Sequence, residues 1–133
     1  MGTSRDQAAG FVESYGRTWE RWDVSAWVDL FTDEIVYVDH PTQKTVVGKS
    51  ALASYIRGEA AEQGEVSVRM GLPVIDGDHV AAEFWVTGTS AVEAKTLAGG
   101  FIARLAPDGR CSYFREYWFY IDGHASPYDG WGN

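Results

Sequence analysis

Four positions in this 133-residue chain combine a residue type that can move a proton with a setting that would make it do so. Asp39 closes the β-branched and aromatic run IVYVD immediately before His40-Pro41, so its carboxylate stands at the end of a strand. Glu116 lies inside CSYFREYWFYI; strand side chains alternate, so its face-mates are Phe114, Trp118 and Tyr120. A carboxylate flanked by rings on its own face is paired, protonated or open to a cavity, because burying it bare costs several kcal/mol. Tyr15 adds a hydroxyl on an aromatic helical stripe, and His40 adds an imidazole that titrates near neutrality beside Asp39. A carboxylate base together with a hydroxyl or a protonated carboxyl is the equipment of proton transfer at carbon. Each residue also has a plainer reading. Asp39 can cap a turn, His40 can be an exposed turn residue, Glu116 can pair with Arg104 or Arg69, and Tyr15 and Trp19 can be core.

The elements that must hold these groups follow from periodicity. Ser4 with Gln7 reads as a capping box, after which Ala8, Phe11, Val12, Tyr15, Trp19 and Trp22 recur at helical spacing. Asp23 caps a shorter second helix carrying Trp27, Leu30 and Phe31. A strand from Ile35 to Asp39 and the return run KTVVG form a hairpin, and a third helix from Ser50 to Glu62 stops at Gly64. Strands then follow at Val66 to Leu72, His79 to Thr89, Leu97 to Leu105 and Cys111 to Ile121, separated by the Asp76-Gly77 turn, a loop over Gly88 to Ala94 and the Pro107-Asp108-Gly109 turn. This order is an α+β layout in which three N-terminal helices cover one face of an antiparallel meander. Gly71, Gly99 and Gly100 fall inside strand patterns and predict a sheet that curls around the helices.

Composition sets bounds. The length fits one domain over residues 1–133, with a tail from about residue 122 that keeps Tyr128 and Trp131 and is therefore expected to anchor on the body. A net charge of −8 with no Lys/Arg run disfavours nucleic-acid binding. No stretch approaches the roughly 20 apolar residues of a membrane span and no signal peptide is visible, so a cytoplasmic protein is expected. No His, Asp, Glu or Cys cluster has metal-ligand spacing, and the single Cys111 reads as a packing residue; neither metal nor cofactor is expected.

The ordered series YGRTWERWDVSAWVDLFTDEIVYVDHP, VVGKSALASYI, VIDGDHVAAEFWVTGTS and APDGRCSYFREYWF resembles the nuclear transport factor 2-like superfamily, in its SnoaL-like and ketosteroid-isomerase-like branch. The resemblance covers nearly the whole chain. It implies a cone, a strongly bent antiparallel sheet wrapped on three helices with an apolar pocket at one end. Asp39 matches the general base of the steroid isomerases and Tyr15 their helical oxyanion-hole tyrosine, while Phe101 stands where those enzymes carry a protonated aspartate. Glu116 is similar to the working carboxylate that the polyketide cyclases and limonene epoxide hydrolases place on the final strand. The Arg and Asp pair that the epoxide hydrolases carry on a middle strand has no counterpart in EFWVTG.

Two functions are expected from these residues. The first is a cofactor-independent isomerase, dehydratase or cyclase acting on a small apolar polyketide- or steroid-like molecule, with Asp39 as base and Glu116, Tyr15 and His40 as its partners. Trp19, Phe84, Phe101, Phe114 and Trp118 would line the pocket. The second is a non-catalytic protein that holds a lipophilic ligand or serves as a dimeric scaffold. Either way Trp85, Tyr113, Tyr117 and Phe119 project from the other side of the sheet, which predicts a homodimer through that face.

Overall fold

A computed structural model describes residues 5–88 and 95–133. Helix α1 (Arg5–Glu20) buries Ala8, Phe11, Val12, Tyr15 and Trp19, the stripe that its spacing dictates. The Ser4 half of the capping box lies outside the described residues, as does the loop after Gly88. Helix α2 (Val24–Val28) starts under Asp23, whose Oδ1 accepts from the Ala26 amide at 3.2 Å. It ends earlier than its periodicity predicts. Phe31 is not its last turn but the first residue of β1 (Phe31–Asp39), because pairing with Cys111 takes the local backbone into the sheet. Strand β2 (Lys44–Val47) returns on β1, and α3 (Lys49–Gln63) closes at Gly64, where φ is 67° and the amide reaches Ala60 O.

The remaining strands are β3 (Val66–Met70), β4 (Val74–Asp76), β5 (His79–Gly88), β6 (Lys95–Leu105) and β7 (Cys111–Asp122). The run expected to reach Leu72 stops at Met70. The break at residues 71–73 lets β3 pair the far half of β5, Met70 opposite Phe84, and β4 the near half, Val74 opposite Ala81. The sheet order is β2-β1-β7-β6-β5-β3, with β4 added on β5. It is mixed rather than purely antiparallel, since β1 and β7 run parallel. A meander governs only strands consecutive in sequence, and β1 meets β7 across the whole chain. The fold is thus α+β: three helices, with the β1–β2 hairpin between the second and third, and a mostly antiparallel sheet.

Strands β6 and β7 come close together at Gly99. A Cβ on Gly99 would drive into the Tyr117 carbonyl and fall 2.7 Å from Trp118 Cα, so the two backbones approach more closely than any side chain permits. Against the concave face, Phe84, Phe101 and Phe114 pack fully buried under Phe11, Tyr15 and Trp19. Phe101 and Phe114 stack at 4.9 Å, and Phe114 lies flat on Tyr37 at 4.8 Å. Rings of this size bury about 1.5–3 kcal/mol each and fix the sheet to the helices.

The tail crosses the convex face. Trp85 Nε1 donates to Ala125 O at 2.9 Å, the Trp85 ring meets Trp131 edge-on at 5.8 Å, and Arg69 lies over Trp131 at 5.2 Å. Trp131 is buried as its type predicts, whereas Tyr128 stays exposed. Trp85 therefore belongs to an intrachain contact and not to the open patch assigned to it from sequence. No helix among the described residues is long and apolar enough to cross a membrane.

Candidate active site

Parallel pairing of β1 with β7 places Asp39 directly opposite Glu116. Residues in register across neighbouring strands share a face, so both carboxylates point to the concave side. Both are buried, 3% and 7% exposed, which forces the question of how their charge is carried. Asp39 is answered by donors: Tyr55 Oη donates to its Oδ2 at 2.9 Å and Trp118 Nε1 to its Oδ1 at 3.0 Å. Two donors on two oxygens is how a carboxylate anion is held. Glu116 is answered differently. Tyr37 Oη donates to its Oε1 at 2.8 Å, while burial and then the Asp39 carboxylate push its pKa up to about 8, against the lowering effect of the Tyr37 bond. At neutral pH Glu116 is thus mainly a neutral acid beside a charged neighbour.

The surrounding hydroxyls stay protonated. Burial, followed by the charge of Glu116, raises Tyr15 and Tyr37 well above the phenol range, and burial with the Asp39 hydrogen bond does the same for Tyr55. Each is a donor at any ordinary pH. The Cys111 thiol, fully buried and pushed up to about 12 by that burial, is no nucleophile.

These groups surround a cavity of about 150 Å³ between the helices and the sheet. Of the residues singled out from sequence, Asp39, Glu116, Tyr15, Trp19 and Trp118 line it together. Phe84, Phe101 and Phe114 do not; they are the packed layer beneath it. The alternation that put Phe114 on Glu116's face was right, but Tyr37 and Tyr15 cover its ring before the cavity begins. His40 does not reach the cavity either. It lies beyond the strand end, exposed, with its ring stacked on Tyr117 at 4.3 Å on the opposite side of the sheet. Neither Arg69 nor Arg104 pairs with Glu116; Arg69 lies on Trp131 and Arg104 pairs with Asp78.

Sequence reasoning missed Tyr37, Tyr55, Trp22, Trp27 and Glu59, all in the cavity wall. Tyr37 carried a usable signal, since it stands two residues before Asp39 and must share its face. Tyr55 had none, because the rotation of α3 over the strand end is a tertiary fact. Among the described residues, no group of three or more His, Cys, Asp or Glu is placed to hold a metal ion.

With this geometry in view, residues 12–114 match the SnoaL-like domain. The chain belongs to the SnoaL-like family. The solved structures it is similar to are distant in sequence, and the likeness is one of fold. It is similar to RV0760c from Mycobacterium tuberculosis at 17% identity, over 90% of this chain and 99% of that one, with TM-score 0.75. It is similar to SalBIII, an epoxide hydrolase/cyclase-like enzyme in pyran ring formation in polyether salinomycin, at 22% identity, over 87% and 93% of the two chains, TM-score 0.74. A third likeness is to a Catenulispora acidiphila protein of ketosteroid isomerase-like fold in complex with trimethylamine, at 22% identity, over 80% and 83%, TM-score 0.68. No curated protein matches the sequence.

Proposed function

We propose that this SnoaL-like protein is a cofactor-independent enzyme that moves a proton at carbon in a small, mostly apolar carbonyl compound, by isomerisation, dehydration or aldol-type cyclisation. The observation that carries the reading is the split between neighbouring carboxylates: Asp39 held as an anion by two donors, Glu116 held as an acid by burial and by Asp39. Pairs of titratable groups driven apart in this way mark acid and base roles.

Asp39 takes the proton from the carbon next to the carbonyl. The C–H electron pair becomes the new C=C bond, and the carbonyl π pair moves to oxygen. That oxygen receives a hydrogen bond from the Glu116 carboxyl, whose Oε1 is occupied by Tyr37 so that Oε2 carries the proton, or from Tyr15. Asp39 then delivers its proton to a second carbon, to the oxygen of an internal carbonyl that the enolate attacks, or to a β-hydroxyl that leaves as water while the carbonyl re-forms. The cavity volume of about 150 Å³ is below the roughly 300 Å³ where drug-sized pockets begin, which favours a substrate smaller than a steroid nucleus or one that extends through the mouth. Ring formation on this fold by SalBIII and trimethylamine bound by the Catenulispora protein support a small-molecule site.

The test is Asp39→Asn with exchange of substrate C–H for solvent deuterium, followed by NMR over a panel of small carbonyl compounds. The substitution should lower the exchange rate about 10²–10⁴-fold while ligand binding persists. Equal exchange by wild type and variant would remove Asp39 as base. Binding without exchange by wild type on every compound would leave the alternative of a lipophilic-ligand-binding protein.

We also infer a homodimer through the convex face. Ile102, Tyr113, Tyr117 and Phe119 are exposed there at 37–60%, and Arg115 Nε among them is buried without a hydrogen-bond partner. Sedimentation equilibrium at micromolar concentration should give twice 14.7 kDa; the single-chain mass would end this reading.

A further inference from the structure

The charge and ring content of the cavity wall say more about the ligand than its volume does. Eight of the residues lining it are Trp or Tyr, four are Asp or Glu, and none is Lys, Arg or His. Glu116 holds a proton and adds little to the field, but among the described residues no ion pair engages the other three, Asp23, Asp39 and Glu59. The negative field of the wall is therefore not cancelled by a cation of the chain inside the cavity. Aromatic faces add to that field, because the ring quadrupole presents negative density to whatever lies over it.

The two ends of the cavity differ. At the buried end Asp39 and Glu116 are occupied with Tyr55, Trp118 and Tyr37. At the solvent end stand Trp22, Tyr120, Glu59 and Gln63, all at least partly accessible, with Trp118 meeting Tyr120 edge-on at 5.3 Å. Glu59 takes a neutral donor, Gln63 Nε2 at 3.0 Å, and keeps its charge unmatched; after burial, that charge is the largest influence holding the Tyr120 hydroxyl protonated. The rings here already attract cations. Lys95 Nζ sits 5.2 Å from the Tyr120 centroid and Lys44 Nζ 5.0 Å from that of Tyr55, although neither lysine lines the cavity.

We propose that the cavity takes an organic cation, a small molecule whose tertiary or quaternary ammonium head rests against Trp22, Trp118, Tyr120 and Glu59 at the mouth while its apolar body points to Asp39 and Glu116. A weakly hydrated alkylammonium suits this wall because it can exchange water for ring faces and an unpaired carboxylate at little desolvation cost. Neutral and anionic ligands gain nothing from Glu59, and anions are repelled by every charged group in the wall. The inference rests on the cavity being the substrate site, and it assigns the substrate an amine group.

Choline and its neutral isostere 3,3-dimethylbutan-1-ol have the same shape and differ in charge, and quenching of tryptophan fluorescence reads the binding of each to the intact protein. Choline should bind about tenfold more tightly, and Glu59→Gln should remove most of that preference while leaving the isostere unchanged. Glu13→Gln makes the same change of net charge on an exposed turn of α1 away from the cavity and should leave choline binding as it was. Binding of the two probes within twofold would overturn the proposal. So would an equal loss of choline binding in the Glu13 and Glu59 variants, which would mean diffuse attraction to an acidic surface. These readouts need no turnover, so failure here leaves the Asp39 exchange test standing, and failure of that test leaves the cation preference standing.

Discussion

On the inner face of β7 Glu116 lies between Phe114 and Trp118, and on the outer face Arg115 lies between Tyr113 and Tyr117; both faces carry an ionisable group between rings. The outcomes differ because the two groups have different ways out of the cost of burial. Glu116 can give up its charge by holding a proton, and with Asp39 opposite it that is the cheaper state. Arg115 cannot deprotonate, so its guanidinium stays charged, lies 5.7 Å from the Tyr113 ring and leaves Nε unpaired. An enclosed carboxylate thus becomes an acid, whereas the guanidinium on the outer face lies against a ring with its Nε unpaired.

Truncating a ring on the inner face is the strongest probe of that contrast. Phe114→Ala should cost about 3–5 kcal/mol of stability in denaturant melts, since a fully buried ring leaves a hole between Tyr37, Phe101 and Tyr15. A cost near that of an exposed ring would mean that the core collapses freely around the gap.

Next in size is the response to pH. Glu116 has its pKa raised from 4.5 to about 8, so between these values the folded chain keeps a proton that the unfolded chain releases. The contribution to stability is fully present below pH 4.5 and is lost as pH rises through 8. Wild-type melting temperature should fall across that window, and Glu116→Gln, neutral throughout, should flatten the fall. Proton transfer that needs the Glu116 acid should decline through the same pH 8 limb. An identical melting profile in the variant would show that the proton is not held there.

Tyr37→Phe is a finer cut. It removes one buried hydrogen bond, about 1 kcal/mol, and the one influence that lowers the Glu116 pKa. The alkaline limb should move above pH 8, visible by carboxyl-carbon NMR; a downward move would reverse the sign of the argument. Smallest of all is Phe119→Ala on the outer face. Its ring is 60% exposed, so single-chain stability should change by less than about 0.5 kcal/mol, while the sedimentation equilibrium shifts toward monomer.

Local patterns sufficed for much of this molecule. Helical spacing of Phe11, Tyr15 and Trp19, the Asp23 cap, the Gly64 terminator and the two-faced alternation of β7 are properties of short windows, and the folded chain keeps them. Asp39 and Glu116 could each be singled out for the same reason, a carboxylate in an apolar neighbourhood along the chain. What no window holds is their encounter. Parallel pairing of β1 with β7 joins residues 77 positions apart, so whether Asp39 faces Glu116, and whether Tyr55 or His40 is its neighbour, depends on register and on the placement of α3. The same distinction moved Phe84 and Phe101 from the pocket to the layer below it and put Trp85 under the tail. Alternation says which side of a sheet a residue takes; how deep it lies there is decided by what the rest of the chain packs over it.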